Sequence, residues 1–229
     1  YFRYSDGVSR MGKSITIKQE YAEMQAHKAW NDENSGLPAA EPLQERTIDS
    51  RRVFTGRALC LDVFDIEMPD GRRSTREVVR HDGAVAVLAR MPDGRFLFVR
   101  QYRKAIERVM VEVVAGAIEP GEAPDVSAHR ELAEESGYRA RRMLPLGSIC
   151  PCPGYSEERL FLFYAELEPE GGSTCPDFDE NIETLLLEPG AVEQRIGNGM
   201  IDDAKTLACW LLWRLRVAPE PGGRKETHP

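Results

Sequence analysis

Glu119, Glu122, Glu131, Glu134 and Glu135 crowd into one short stretch, GAIEPGEAPDVSAHRELAEESGY, residues 116–138. Pro124 suits the first turn of a helix and Gly137 suits the residue just past its end. A helix of about three turns between them puts Glu131, Glu134 and Glu135 at i, i+3 and i+4, on one face. Like charges at that spacing cost about 0.2–0.5 kcal/mol per pair. Glu134 and Glu135 also stand near the helix C-terminus, where negative charge is unfavourable. Local stability does not explain such an arrangement, whereas a hard divalent cation does, because Mg2+ takes carboxylate oxygens and substrate phosphates. On these three glutamates alone, a solvated acidic helix is an equal alternative.

The elements around this helix are mostly strands. Residues 57–67 (RALCLDVFDIE) alternate in polarity as a half-buried strand does, and 74–81 return as a second. Residues 83–90 and 96–103 form the next pair. MPDGR stands at 68–72 and again at 91–95, read as one Asp-Gly hairpin chemistry used twice. VMVEVVAGAI, 109–118, reads as a single strand running into the acidic segment. Further strands fall at 143–149, 158–167 and 181–188, and helices at 189–199 and 203–217. Leu207, Trp210, Leu211 and Leu215 mark the expected core face of the last helix. Residues 1–45 read as a flexible tail, with a short helix at YAEMQAHKAW, 21–30. Met11 is a candidate native start, with 1–10 an extension ahead of it. This order predicts an α/β sandwich with a mixed sheet.

Composition narrows the class. The chain has 229 residues, 41% hydrophobic and 30% charged, and a net charge of −8. That charge argues against a nucleic-acid surface as the main feature but leaves room for a local basic pocket. No apolar run is long enough to span a bilayer, and no apolar leader core opens the sequence. Cys60, Cys150, Cys152, Cys175 and Cys209 lack zinc-ligand spacing. Reduced thiols in a cytoplasmic protein are the expectation.

The spacing G-x5-E-x7-R-E-L-x-E-E-x-G-Y resembles the Nudix box, G-x5-E-x7-R-E-U-x-E-E-x-G-U, where U is a bulky aliphatic residue. Gly116, Glu122, Arg130, Glu131, Leu132, Glu134, Glu135 and Gly137 match in identity and position; Tyr138 replaces the last aliphatic residue. The resemblance implies a Nudix α/β/α sandwich and a hydrolase of nucleoside diphosphates linked to a further moiety. It implies Mg2+, with Mn2+ as a substitute, held by Glu131, Glu134, Glu135 and the Ala115 carbonyl. Arg130 would orient those carboxylates, and Glu122 would support the loop or a further metal ion.

CPCPGYSEERLFLFYAEL, REVVRHDGAVAVLA, VRQYR and DAKTLACWLLW resemble segments of the ADP-ribose pyrophosphatase subfamily, so that the likeness covers roughly residues 46–217. It implies Arg76, Arg103, Glu112 and Glu158 as substrate-binding residues, although Val111, Val113 and Val114 depart from the family's usual residues around Glu112. Surface charge is the plain alternative for each arginine, and a strand-edge charge for Glu158. Glu180 is the implied general base, with Asp177, Asp179 and Glu183 as alternatives. The subfamily pattern also implies an N-terminal β module at 46–80 that builds a homodimer, the hydrolase domain at 81–217, and a tail at 218–229. The implied reaction is cleavage of ADP-ribose to AMP and ribose 5-phosphate. GDP-mannose, other nucleotide sugars and dinucleotides are rival substrates, and a non-catalytic ADP-ribose sensor is the rival from another class.

Overall fold

A run of buried apolar residues, Ala84 to Ala89, forms the centre of the molecule. In the computed structural model this run is strand β4 (Ala84–Arg90) of a seven-stranded mixed sheet. Its alternate side chains feed two separate cores, because successive residues of a strand point to opposite faces. Ala84, Ala86 and Leu88 pack with Phe96, Phe98, Trp210 and Trp213 on one face. Val85, Val87 and Ala89 pack with Leu97, Val99, Ala128 and Leu132 on the other. A strand buried on both faces reads as a continuous apolar run, which is how it appears in the sequence.

The structure describes residues 43–171 and 181–218, all within the unit 37–229. A three-stranded antiparallel sheet comes first, β1 (Arg46–Thr55), β2 (Cys60–Glu67) and β3 (Arg73–Arg80). The large sheet comprises β4, β5 (Phe96–Arg103), β6 (Arg108–Glu112), β7 (Val114–Ala117), β8 (Ala140–Ile149), β9 (Leu160–Leu167) and β10 (Ile182–Leu187). Its main path runs β10-β5-β4-β9-β8, with β9 parallel to β4. Helix α1 (Pro124–Ser136) covers one face; α2 (Pro189–Gly197) and α3 (Ala204–Arg216) supply the core of the other. This is the expected α/β sandwich with a small N-terminal sheet. The two MPDGR turns also repeat one chemistry: Asp70 accepts from the Arg72 amide at 3.1 Å and Asp93 from the Arg95 amide at 3.0 Å.

Two expectations change, and the first strand of the expected β module has no pattern of its own. Strand β1 gave no alternation to read, because all ten of its residues are exposed. The expected single strand at 109–118 is two. Strands β4 and β5 pair only at Ala89–Leu97 and Arg90–Phe96 and then diverge. The chain fills the gap by pairing first with β5, as β6, and then with β4, as β7. Val113 is the crossing point, and its amide donates to the Thr206 hydroxyl at 2.9 Å instead of to a strand. Finally, α3 keeps only half of its expected core face: Trp210 is buried and Leu207 packs against the core, but the two later leucines turn outward. Leu211 is 57% and Leu215 72% exposed, while Thr206, Cys209, Trp210 and Trp213 are buried. The indoles carry more apolar area than the leucines, and Trp213 sits edge-on to Phe96 at 4.7 Å between centroids.

Candidate active site

Helix α1 begins at Pro124 and ends against Gly137, whose left-handed φ of 72° lets its amide return to the Ala133 carbonyl at 2.9 Å. Leu132 and Ala128 face the core. Truncating a buried leucine such as Leu132 to alanine costs about 2–5 kcal/mol. Burial of those residues sets the rotation of the helix and turns its glutamate face toward β7.

Arg130 is the centre of that face. Its Nη1 donates to Glu131 at 2.7 Å and to Glu134 at 3.1 Å. Its Nη2 donates to Glu122 at 2.9 Å and to the Ala117 carbonyl at 3.1 Å, and its Nε to Glu122 at 3.2 Å. One planar guanidinium thus ties three carboxylates and a strand carbonyl together. The same contacts raise the pKa of Arg130, chiefly through Glu122. Conversely, the guanidinium and the Ser127 hydroxyl hold the Glu122 carboxyl down at about 2. Ser127 donates to Glu122 at 2.6 Å and is fully buried.

Strand β7 forms the floor. Glu131 lies directly over Gly116, where a methyl group would overlap the carboxylate carbon and both of its oxygens. Glu135 is 3% exposed and accepts from the Ala115 amide at 3.3 Å. Among the described residues, no three His, Cys, Asp or Glu side chains converge, as they stand, on a point able to hold a metal ion. The donor chemistry nevertheless fits a hard cation. The Glu131, Glu134 and Glu135 carboxylates belong to one helix, and the chain that carries the Ala115 carbonyl runs beside Glu135. Gly116 leaves the room that Glu131 occupies.

The expected substrate residues divide into groups. Arg103 forms a two-point fork with Glu112, Nε to Oε1 and Nη2 to Oε2, both at 2.8 Å. Glu112 is 1% exposed and also accepts from Lys205. Burial opposes its ionisation, but Arg103 and Lys205 hold its pKa below the ordinary value. The structure places Glu112 in a buried ion pair with Arg103 and Lys205. Arg76 lies on β3, where it donates to Glu45 and the Thr75 carbonyl. Glu158 is half-buried, its amide capped by Ser156 at 3.1 Å. That segment joins the small sheet: the Val79 amide donates to Tyr155 at 2.8 Å, and Arg80 pairs with Glu157 at 2.8 Å. A cavity of about 640 Å³ opens beside it, bordered by Arg52, Arg57, Arg80, Glu157, Ala117 and Ile118. Glu180, Asp177 and Asp179 lie outside the described residues, while Glu183 is the second residue of β10 and pairs with Arg100 at 2.7 Å.

Sequence reading missed Ser127, Asp203, Lys205 and Thr206. The last three lie in DAKT, whose resemblance to the subfamily was the available signal. Cys60, Cys150, Cys152 and Cys209 carry free thiols, and burial pushes the Cys209 thiol up. No described helix is long and apolar enough to cross a membrane.

The family model for the NUDIX domain matches residues 80–208. An ADP-ribose pyrophosphatase of Bacillus subtilis (strain 168) is 44% identical over 165 residues, 72% of this chain and 89% of that protein. A methanol dehydrogenase activator of Bacillus methanolicus is 40% identical over the same shares. A GDP-mannose pyrophosphatase of Cronobacter sakazakii is 30% identical over 63% of this chain and 81% of its own. The crystal structure of an ADP compounds hydrolase superposes with a TM-score of 0.67 at 22% identity, covering 77% of this chain and 96% of that one, a likeness of fold.

Proposed function

The chain belongs to the NUDIX domain family and is a Nudix hydrolase, and from that premise we propose that it hydrolyses ADP-ribose to AMP and ribose 5-phosphate. The observation that carries the reading is the five-donor grip of Arg130 on Glu122, Glu131, Glu134 and Ala117. It gathers an anionic, oxygen-rich face on a match to an ADP-ribose pyrophosphatase that spans most of both chains.

In this reading Glu131, Glu134, Glu135 and the Ala115 carbonyl hold Mg2+, and Mn2+ is an acceptable substitute. When bound, such an ion neutralises charge on the phosphoryl oxygens and lowers the pKa of water. The protein supplies the rest. Arg130 keeps the carboxylates oriented, and Glu122 keeps Arg130 in place. Arg103, held by Glu112, presents a guanidinium to the diphosphate. Arg76 and Glu158 contact the nucleotide or ribose. Water attacks one phosphorus, its proton passes to Glu180, and the other phosphate leaves as a monoester.

Strand β1 supports a homodimer. It forms one edge of the small sheet, is exposed along its length, and carries Ile48, Val53 and Phe54 in the open. Exposed edges of this kind pair readily with another chain. A fully active monomer in sedimentation would exclude that arrangement. The free thiols support a reducing, cytoplasmic setting.

The test is product chromatography with Mg2+ across ADP-ribose, GDP-mannose, UDP-glucose, NADH and a diadenosine polyphosphate, with Glu135→Gln beside the wild type. AMP and ribose 5-phosphate as dominant products, lost in the variant, support the proposal. Preference for another compound overturns the substrate. Binding of ADP-ribose without cleavage of anything overturns the enzyme reading in favour of a sensor.

A further inference from the structure

The first turn of α3 touches the site twice, through residues to which the function above gives no role. Thr206 accepts from the Val113 amide at 2.9 Å, fixing the backbone where β6 becomes β7. Lys205 donates to Glu112, the residue just before that crossing, and to Asp203 at 3.0 Å. Asp203 in turn caps α3, accepting from the Thr206 amide at 3.0 Å and its hydroxyl at 2.6 Å. The Lys205 side chain is 15% exposed and Glu112 1%, so these contacts are sheltered from water and bear on position.

Two cations, Arg103 and Lys205, and two carboxylates, Glu112 and Asp203, form one chain of contacts. Glu112 is its hinge. Both of its oxygens accept from Arg103, and one accepts from Lys205 as well. The Arg103 side chain is 39% exposed, so one side of the guanidinium is fixed while the rest remains accessible. Glu112 is the main partner that raises the Arg103 pKa, with a smaller contribution from Glu135.

We infer that Lys205 is a positioning residue: by clamping Glu112 from the α3 side it fixes where the Arg103 fork presents its guanidinium to the substrate diphosphate. A lysine that only offset the burial of Glu112 would leave Arg103 in place when removed, because Arg103 alone neutralises that carboxylate. Clamping instead makes the Arg103 position depend on Lys205. The substrate clause rests on the function proposed above; the clamp itself does not.

The test uses two readouts on the full chain. The first needs no substrate: the rate at which phenylglyoxal modifies Arg103, followed by peptide mass spectrometry, in wild type and Lys205→Met. Release of the fork raises that rate several-fold, and an unchanged rate overturns the inference whatever the enzyme cleaves. The second is a double-mutant cycle of Lys205→Met and Arg103→Lys on the diphosphate that the wild type cleaves fastest. Displacing a binding group by about 1 Å costs on the order of 10²-fold, so each single variant loses roughly tenfold or more in kcat/KM, mainly through KM. The double variant is expected to be no worse than Arg103→Lys, since Lys205 acts through Arg103. Additive losses overturn the inference. Lys205→Arg, which keeps the charge, recovers part of the loss. Should Lys205→Met not fold, Lys205→Ala, which also removes the donor, carries both readouts.

Discussion

The carboxylate of Glu131 rests on the backbone of Gly116, in space that any other residue at 116 would fill. Gly116 and Glu131 belong to the first and middle parts of one motif, and their contact explains why the motif opens on glycine. The pressure from a side chain at 116 would fall on the far end of a flexible residue, so function suffers before folding does. Gly116→Ala is expected to leave the melting temperature within a few degrees of wild type. Its kcat/KM should fall by ~10²-fold, the usual consequence of misplacing a catalytic group by about 1 Å. A Gly116→Ala enzyme with wild-type kinetics would contradict this relationship.

Arg130 bridges groups that a lysine cannot reach together. Lysine is a point charge without a planar fork. Arg130→Lys keeps the charge but loses the simultaneous contacts to Glu122, Glu131 and Glu134. Loss of such an orienting partner typically costs 10–100-fold in metal affinity or activity, so about that reduction is expected in the Mg2+ titration of the rate.

Glu122 makes the site sensitive to acid. Its folded-state pKa, about 2, lies below its ordinary value of 4.5, with Arg130 as the main cause. A depressed carboxylate stabilises the fold at pH above its unfolded pKa. That contribution is lost as pH falls from about 4.5 through about 2. Chemical denaturation at pH values from above 4.5 down to about 2 should therefore show a shallower loss of stability for Glu122→Gln than for wild type. Equal slopes would remove Glu122 from the acid response.

Removal of divalent ions provides a test that does not depend on the substrate. EDTA should abolish turnover, and Mg2+ should restore it. Added Mg2+ should raise the melting temperature of the wild type, because a ligand that binds only the folded state stabilises it. Glu131→Gln and Glu135→Gln should shrink that shift. A full Mg2+ shift in both variants would place the ion elsewhere.

The sequence by itself determined what is local. Pro124 and Gly137 bounded α1 because first-turn and terminal backbone conformations are residue properties. The glutamate spacing put three carboxylates on one face because the helical repeat does so in any protein. Buried runs and Asp-Gly turns located β4 and β5. Only the tertiary structure decided what depends on partners distant along the chain. The break at Val113 comes from the divergence of β4 and β5, and its amide is satisfied by Thr206 from a helix that begins near residue 204. Lys205 reaches Glu112 from a helix, 93 residues further along the chain, and the rotation of α3 depends on whether indoles or leucines fill the space above Phe96. Strand β1 exists through its pairing with β2 alone, so its own residues carry no pattern of burial. Each of these outcomes is fixed by contacts between separate elements, and periodicity within one element holds no record of them.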